Sequence, residues 1–180
     1  IDGTITEDCT LPSLQTCNEI NKLIQEGYNI VLMTGRGYAT IKPVYENCKM
    51  NTYVVVFNGS YVFNPTTNDV IKDNSFESNY FNQLVNNKEF MDCIDDIMIE
   101  YKEDILAING HNCYGDQKTS KLDLSFDGNV YCINTKVKDP SMHKIIERIV
   151  NNHPIYKYRY WFQLGEIYNT AITKKDGAEA

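Results

Sequence analysis

Short segments of the chain carry side chains suited to acid–base chemistry and to holding an anion. The chain opens Ile1-Asp2-Gly3-Thr4-Ile5, an apolar run ends in Thr34-Gly35-Arg36, and a second apolar run, Tyr53–Phe57, ends in Asn58-Gly59. Asp2 offers a carboxyl group on a loop that Gly3 allows to turn sharply. Such a carboxyl gives a proton to a leaving group and, once ionised, takes one from water. Thr34 stands where a strand gives way to a helix, a place where a hydroxyl and backbone N–H groups hold anion oxygens. Arg36 adds a guanidinium nearby. Taken singly, Asp-Gly-Thr, Thr-Gly-Arg and Asn-Gly are also ordinary turns and strand ends.

These loops need strands and helices to position them. Leu14, Cys17, Ile20, Leu23 and Ile24 recur near helical spacing after Pro12, with Gly27 at the end. Asn29–Met33 reads as a strand buried on both faces, Ala39–Cys48 as a short helix, and Tyr53–Phe57 as the next buried strand. Ser60–Phe63 and Val70-Ile71 follow as strands. This order is that of an α/β fold with a parallel sheet. The texture then changes. Phe76–Asp104 reads as helix, with Met91, Ile94, Met98 and Ile99 forming an apolar stripe. Ile105–Ile108 reads as a strand, and Leu122–Phe126 with Val130–Thr135 as a hairpin turning at Asp127-Gly128. Met142–Val150 reads as an amphipathic helix and Tyr156–Leu164 as an aromatic-rich strand. This block fits a small α+β domain inserted into the first.

The opening motif, Thr34-Gly35-Arg36 some thirty residues on, and the closing Glu166-Ile167 through Lys174 together resemble the haloacid dehalogenase (HAD) phosphatases, in particular the Cof-like sugar phosphatases with an α/β cap. In that pattern Asp2 is the second aspartate of Asp-X-Asp-Gly-Thr. The nucleophilic aspartate is expected immediately before Ile1, and the acidic metal loop after Ala180. The resemblance selects Lys174 over Lys175: it lies eight residues after Glu166, follows Ile172-Thr173, and has Gly177 three positions on. The implied organisation is a HAD-type, Rossmann-like parallel-sheet core over 1–66, an inserted α/β cap over 67–165, and a return to the core over 166–180.

The resemblance implies a phosphatase that works through an aspartyl-phosphate. Asp2 is then the general acid and later the general base. Thr34, Gly35, Arg36, Asn58 and Lys174 hold substrate and phosphate. Mg²⁺ is the implied cofactor, a hard ion that bridges carboxylate and phosphate and takes the backbone carbonyl of Asp2 among its ligands. The expected substrate is a small phosphorylated metabolite, a sugar phosphate foremost. A phosphomutase of the same fold and a non-catalytic binder of phosphorylated ligands are the alternatives.

Bulk properties narrow the field. The chain has 180 residues, 42% hydrophobic and 23% charged, and a formal net charge of −7. That charge argues against a nucleic-acid or anionic-membrane partner and makes any phosphate site depend on local positive charge. The longest apolar runs fall far short of the ~18 residues of a membrane span. The six cysteines (Cys9, Cys17, Cys48, Cys93, Cys113 and Cys132) contain no Cys-X-X-Cys pair. Their scatter favours a reducing compartment, hence the cytoplasm, over a disulfide framework. His111 and Cys113 alone make a poor zinc signature. Tyr156, Tyr158, Tyr160 and Trp161 suit either sheet packing or a sugar-stacking surface, with packing favoured. His143 and His153 read as solvated. Nothing in the sequence fixes an oligomeric state.

Overall fold

The computed structural model describes residues 1, 3–6, 11–77, 79–110 and 118–180. They form two compact units: Ile1–Asn74 with Ile172–Ala180, and Ser75–Ala171.

In the first unit, helix α1 spans Leu14–Gln25, and the Ser13 hydroxyl caps it by accepting from the Thr16 N–H at 3.0 Å. Strand β1 (Leu32–Met33), helix α2 (Tyr38–Asn47), and strands β2 (Val54–Val56), β3 (Tyr61–Phe63) and β4 (Val70–Asp73) follow. The sheet order is β1-β2-β3-β4. β1 and β2 are parallel, with Leu32 opposite Val54, while β2–β3 and β3–β4 are antiparallel. The strand expected over Asn29–Met33 is shorter than its apolar run: β1 spans Leu32–Met33, and Val31 just before it is 48% exposed.

The second unit contains helices α3 (Tyr80–Val85) and α4 (Lys88–Cys93), then strands β5 (Ile94–Tyr101), β6 (Asp104–Ala107), β7 (Thr119–Lys121) and β8 (Ile133–Val137). Helix α5 (His143–Asn151) and strands β9 (Tyr156–Trp161) and β10 (Leu164–Asn169) complete it. Its sheet order is β7-β6-β5-β8-β10-β9, antiparallel except for β6 with β7. Phe90, Ile97, Ile99, Ile133, Ile146, Tyr156 and Ile167 form its core.

Several expectations for this unit are corrected. The helix expected over Phe76–Asp104 breaks into α3 and α4 and then becomes strand at Ile94. Ile97, Met98 and Ile99 are buried in succession, so neither period shows cleanly in the sequence. The hairpin expected across Asp127-Gly128 does not form: β7 lies beside β6, and β8 lies between β5 and β10. Gly128 serves space instead, since a Cβ there would meet the rings of Phe126 and Tyr101 at 2.5 and 2.8 Å. The single strand expected over Tyr156–Leu164 is the first half of the β9–β10 hairpin, which turns through Phe162 at φ +52°. His143 is buried rather than solvated, bonded through Nδ1 to the Tyr158 hydroxyl (2.8 Å) and through Nε2 to the Phe162 carbonyl (2.7 Å). His153 stacks on Tyr156 at 4.0 Å. Tyr156 and Tyr158 are packed in the core, while Tyr160 and Trp161 reach the surface. His111 and Cys113 lie outside the described residues.

The unit boundaries also differ from 66 and 165. β4 completes the first sheet by pairing with β3, so the first unit runs to Asn74. Glu166 lies mid-strand in β10, paired with β8 and β9, so the second unit runs to Ala171. The chain then re-enters the first unit and forms helix α6, Lys174–Ala178.

Candidate functional site

The ends of β1 and β2 are laced together by backbone bonds. The Thr34 N–H donates to the Val55 carbonyl (2.9 Å), the Asn58 N–H to the Thr34 carbonyl (2.9 Å), and the Phe57 N–H to the Arg36 carbonyl (3.0 Å). The buried Thr34 hydroxyl accepts from the Arg36 N–H at 3.1 Å, which leaves its own hydrogen to donate. Gly35 permits the close approach of Asn58, whose Oδ1 would lie 3.0 Å from a Cβ there. Phe57 and Asn58 both hold left-handed backbone, φ +50° and +56°. Asparagine tolerates this conformation; for phenylalanine it costs ~1–3 kcal/mol. Strain of that kind concentrates where a loop must be held in one shape.

Lys174 reaches this neighbourhood because α6 packs on the turn Phe57–Gly59. Gly59 and Gly177 form the seam. A Cβ on Gly177 would lie 2.8 Å from the Gly59 Cα and 2.5 Å from Val55 Cγ1. A capping box holds the start of α6. The Thr173 N–H and hydroxyl bond the Asp176 carboxylate at 2.7 and 2.5 Å, and the Asp176 N–H returns a bond to the Thr173 hydroxyl. Lys72 Nζ of β4 donates to the Asp176 carbonyl at 2.8 Å. Lys174 is the first residue of the helix so anchored.

Thr34, Arg36 and Asn58 are joined by the backbone bonds above, and Lys174 opens the helix that packs on the same turn. Asp2 lies outside the described residues. The Ile1 carbonyl beside it accepts from the N–H groups of Thr4 and Ile5 at 3.1 and 3.0 Å, and Gly3 has φ +67°. Among the described residues, no group of three or more His, Cys, Asp or Glu gathers in a metal-holding arrangement. The described side chains thus do not by themselves make up a Mg²⁺ ligand set.

The capping box and the glycine seam were not singled out in the sequence. Thr173-Lys174-Lys175-Asp176 is readable as a capping pattern, but the Gly59–Gly177 contact joins residues far apart in the chain. The capping box has a pH signature. Bonds from Thr173, first from its side chain and then from its backbone, hold the Asp176 carboxyl below its ordinary range. A depressed carboxyl stabilises the fold above its unfolded pKa and ceases to do so as pH falls through the folded value. Asp176→Asn should therefore be less stable than wild type at neutral pH, and the gap should close as the buffer is taken below the ordinary carboxylate range. Urea titrations across that range check this.

The family model for haloacid dehalogenase-like hydrolases matches residues 1–180, and the chain belongs to that family. Among solved structures, a haloacid dehalogenase-like hydrolase from Bacteroides thetaiotaomicron superposes with a TM-score of 0.85 at 15% identity, covering 99% of this chain and 72% of that one. A haloacid dehalogenase-like hydrolase from B. subtilis superposes at 0.73 with 12% identity, covering 99% and 74%. By sequence, the 5-amino-6-(5-phospho-D-ribitylamino)uracil phosphatase YitU of Bacillus subtilis is 28% identical over 120 residues, which is 59% of this chain and 42% of that protein. The aligned segments span less than half the length of each curated relative matched. Among the described residues no helix is long and apolar enough to cross a membrane.

Proposed function

We propose that the protein is a Mg²⁺-dependent phosphatase of small phosphorylated metabolites, sugar phosphates foremost, acting through an aspartyl-phosphate. The observation that supports this reading most is the joining of Thr34, Arg36 and Asn58 at the ends of β1 and β2, with Lys174 opening the helix packed on the same turn. It gathers a hydroxyl, an amide and two cations in a chain whose net charge is −7, which is the local positive field a phosphate site requires. The similarity to a phosphatase named for a phosphorylated ribityl compound supports a phosphorylated polyol or sugar as substrate.

In this reading the Thr34 hydroxyl and the loop amides hold phosphate oxygens, and Lys174 neutralises the phosphate and orients the attacking carboxylate that precedes Ile1. Arg36 and Asn58 line the same region. Asp2 protonates the leaving alcohol and then activates the hydrolytic water. When bound, Mg²⁺ supplies countercharge to phosphate and carboxylate; its place in the proposal rests on the family resemblance alone. The second unit, Ser75–Ala171, is the proposed substrate-selecting cap, and the cytoplasm the proposed location.

A panel of phosphate monoesters, assayed on the full reading frame with Mg²⁺ and with EDTA, tests the proposal. The expected result is Mg²⁺-restored release of orthophosphate from sugar or polyol phosphates. Absence of turnover on the whole panel, with the protein folded and the metal supplied, would contradict it. Thr34→Ala should lower kcat/KM by ~10-fold or more, as expected for one lost hydrogen bond to a charged group. Far-ultraviolet circular dichroism should remain native, because the backbone bonds of Thr34 persist.

A further inference from the structure

Cys17 and Cys48 lie side by side inside the first unit, with Sγ atoms 3.1 Å apart and both side chains buried. Cys17 is in α1 and Cys48 closes α2, with β1 between them in sequence. Both are free thiols. The other described cysteines do not pair in this way: Cys93 donates to the Glu89 carbonyl at 3.2 Å and Cys132 to the Glu166 carboxylate at 3.5 Å. We propose that Cys17 and Cys48 are an oxidative modification site, closing to a reversible intramolecular disulfide when the protein meets a small-molecule disulfide such as oxidised glutathione.

An S–S bond is ~2.05 Å long, so the two sulfurs must approach by only about 1 Å. The reaction is thiol–disulfide exchange. One cysteine, as thiolate, attacks a sulfur of the small disulfide, forms a mixed disulfide and expels one small thiolate. The second cysteine, as thiolate, attacks the protein sulfur of that mixed disulfide and expels the other. The protein gives up two electrons and two protons, and the reagent becomes two thiols. Cys48 is fully covered and Cys17 nearly so, and burial, with the bond to Cys17, pushes the Cys48 thiol up. The first attack is therefore slow and waits on local opening of α1, which uncovers Cys17. The bond closes a loop across α1, β1 and α2. Its main effect is to restrict the unfolded chain, raising the thermal midpoint by on the order of 10 °C. Cys48 is at the end of α2 remote in sequence from Thr34-Gly35-Arg36, so the link restrains the helices rather than the candidate site.

The test incubates the folded protein with oxidised glutathione, quenches with an alkylating agent, and maps peptides by mass. The expected result is a Cys17–Cys48 cross-linked peptide, loss of two of the six thiols, and a raised thermal midpoint that dithiothreitol reverses. Cys17→Ser and Cys48→Ser should each abolish both the cross-link and the shift. Six alkylatable thiols after prolonged oxidation would overturn the proposal. So would a disulfide between other cysteines, or a mixed glutathione adduct that never resolves. The peptide map is read on the unsubstituted protein, so the test stands even if a serine variant fails to fold.

Discussion

Lys174→Ala is expected to lower phosphate-ester turnover by ~10²–10³-fold, the usual loss when one group aimed at developing charge is removed. Stability should hardly change. Lys174 is exposed, and a cation in the first turn of a helix opposes the helix dipole, so helix stability does not require it. Surface substitutions of this kind shift stability by about 0.5 kcal/mol or less. Lys175→Ala is the matched control. Lys175 pairs with Glu179 at 3.6 Å, an ordinary i,i+4 surface contact, and its loss should leave turnover within about twofold. Steady-state kinetics on both variants check the pair. Equal losses at the two lysines would contradict the selection of Lys174.

Gly59→Ala is expected to destabilise the first unit by ~2–4 kcal/mol and to lower turnover as strongly as removing Lys174. Two effects combine. The residue holds φ +101°, a conformation that strains alanine, and a Cβ there would sit well under 3.0 Å from the Thr173 carbonyl oxygen. That oxygen belongs to backbone, so the clash is relieved only by moving the start of α6, and Lys174 moves with it. Gly27→Ala separates the two effects. Gly27 holds φ +93°, but nothing lies within 4 Å of a Cβ there, so only the backbone strain remains, about 1 kcal/mol. Denaturant midpoints of the two variants, read with kcat/KM, check the difference.

The legible parts of the sequence were those whose partners are close in the chain. The stripe from Leu14 to Ile24 and Gly27 mark α1 by local rules of periodicity and capping, whereas the Ser13 cap is a feature of the structure. The run Tyr53–Phe57 and the turn Asn58-Gly59 carry their own signals. Thr34-Gly35-Arg36 was legible as a strand end because the apolar run stops there. The poorly legible parts depend on distant partners. His143 is buried by Tyr158 and by the Phe162 carbonyl, which no helical spacing reveals. Ile94–Tyr101 passes for helix because its successive buried residues hide the alternation of a strand. Asp127-Gly128 imitates a hairpin turn, although its glycine makes room for aromatic rings. For the candidate site, Thr34, Arg36 and Asn58 stand at strand ends that the apolar runs mark, whereas Lys174 is singled out only by the family resemblance. The reason α6 can lie against Phe57–Gly59 is a contact between two glycines, and a glycine leaves no sequence trace of what it touches.

The proposed chemistry requires Thr34 and Lys174 to face one phosphate-sized anion. A crystal structure of the full reading frame with Mg²⁺ and orthovanadate tests this most directly. The predicted result has vanadate oxygens within hydrogen-bonding distance of the Thr34 hydroxyl and Lys174 Nζ, with Asp2 on the same anion. Vanadate held elsewhere on the protein, with either side chain out of its reach, would contradict the account.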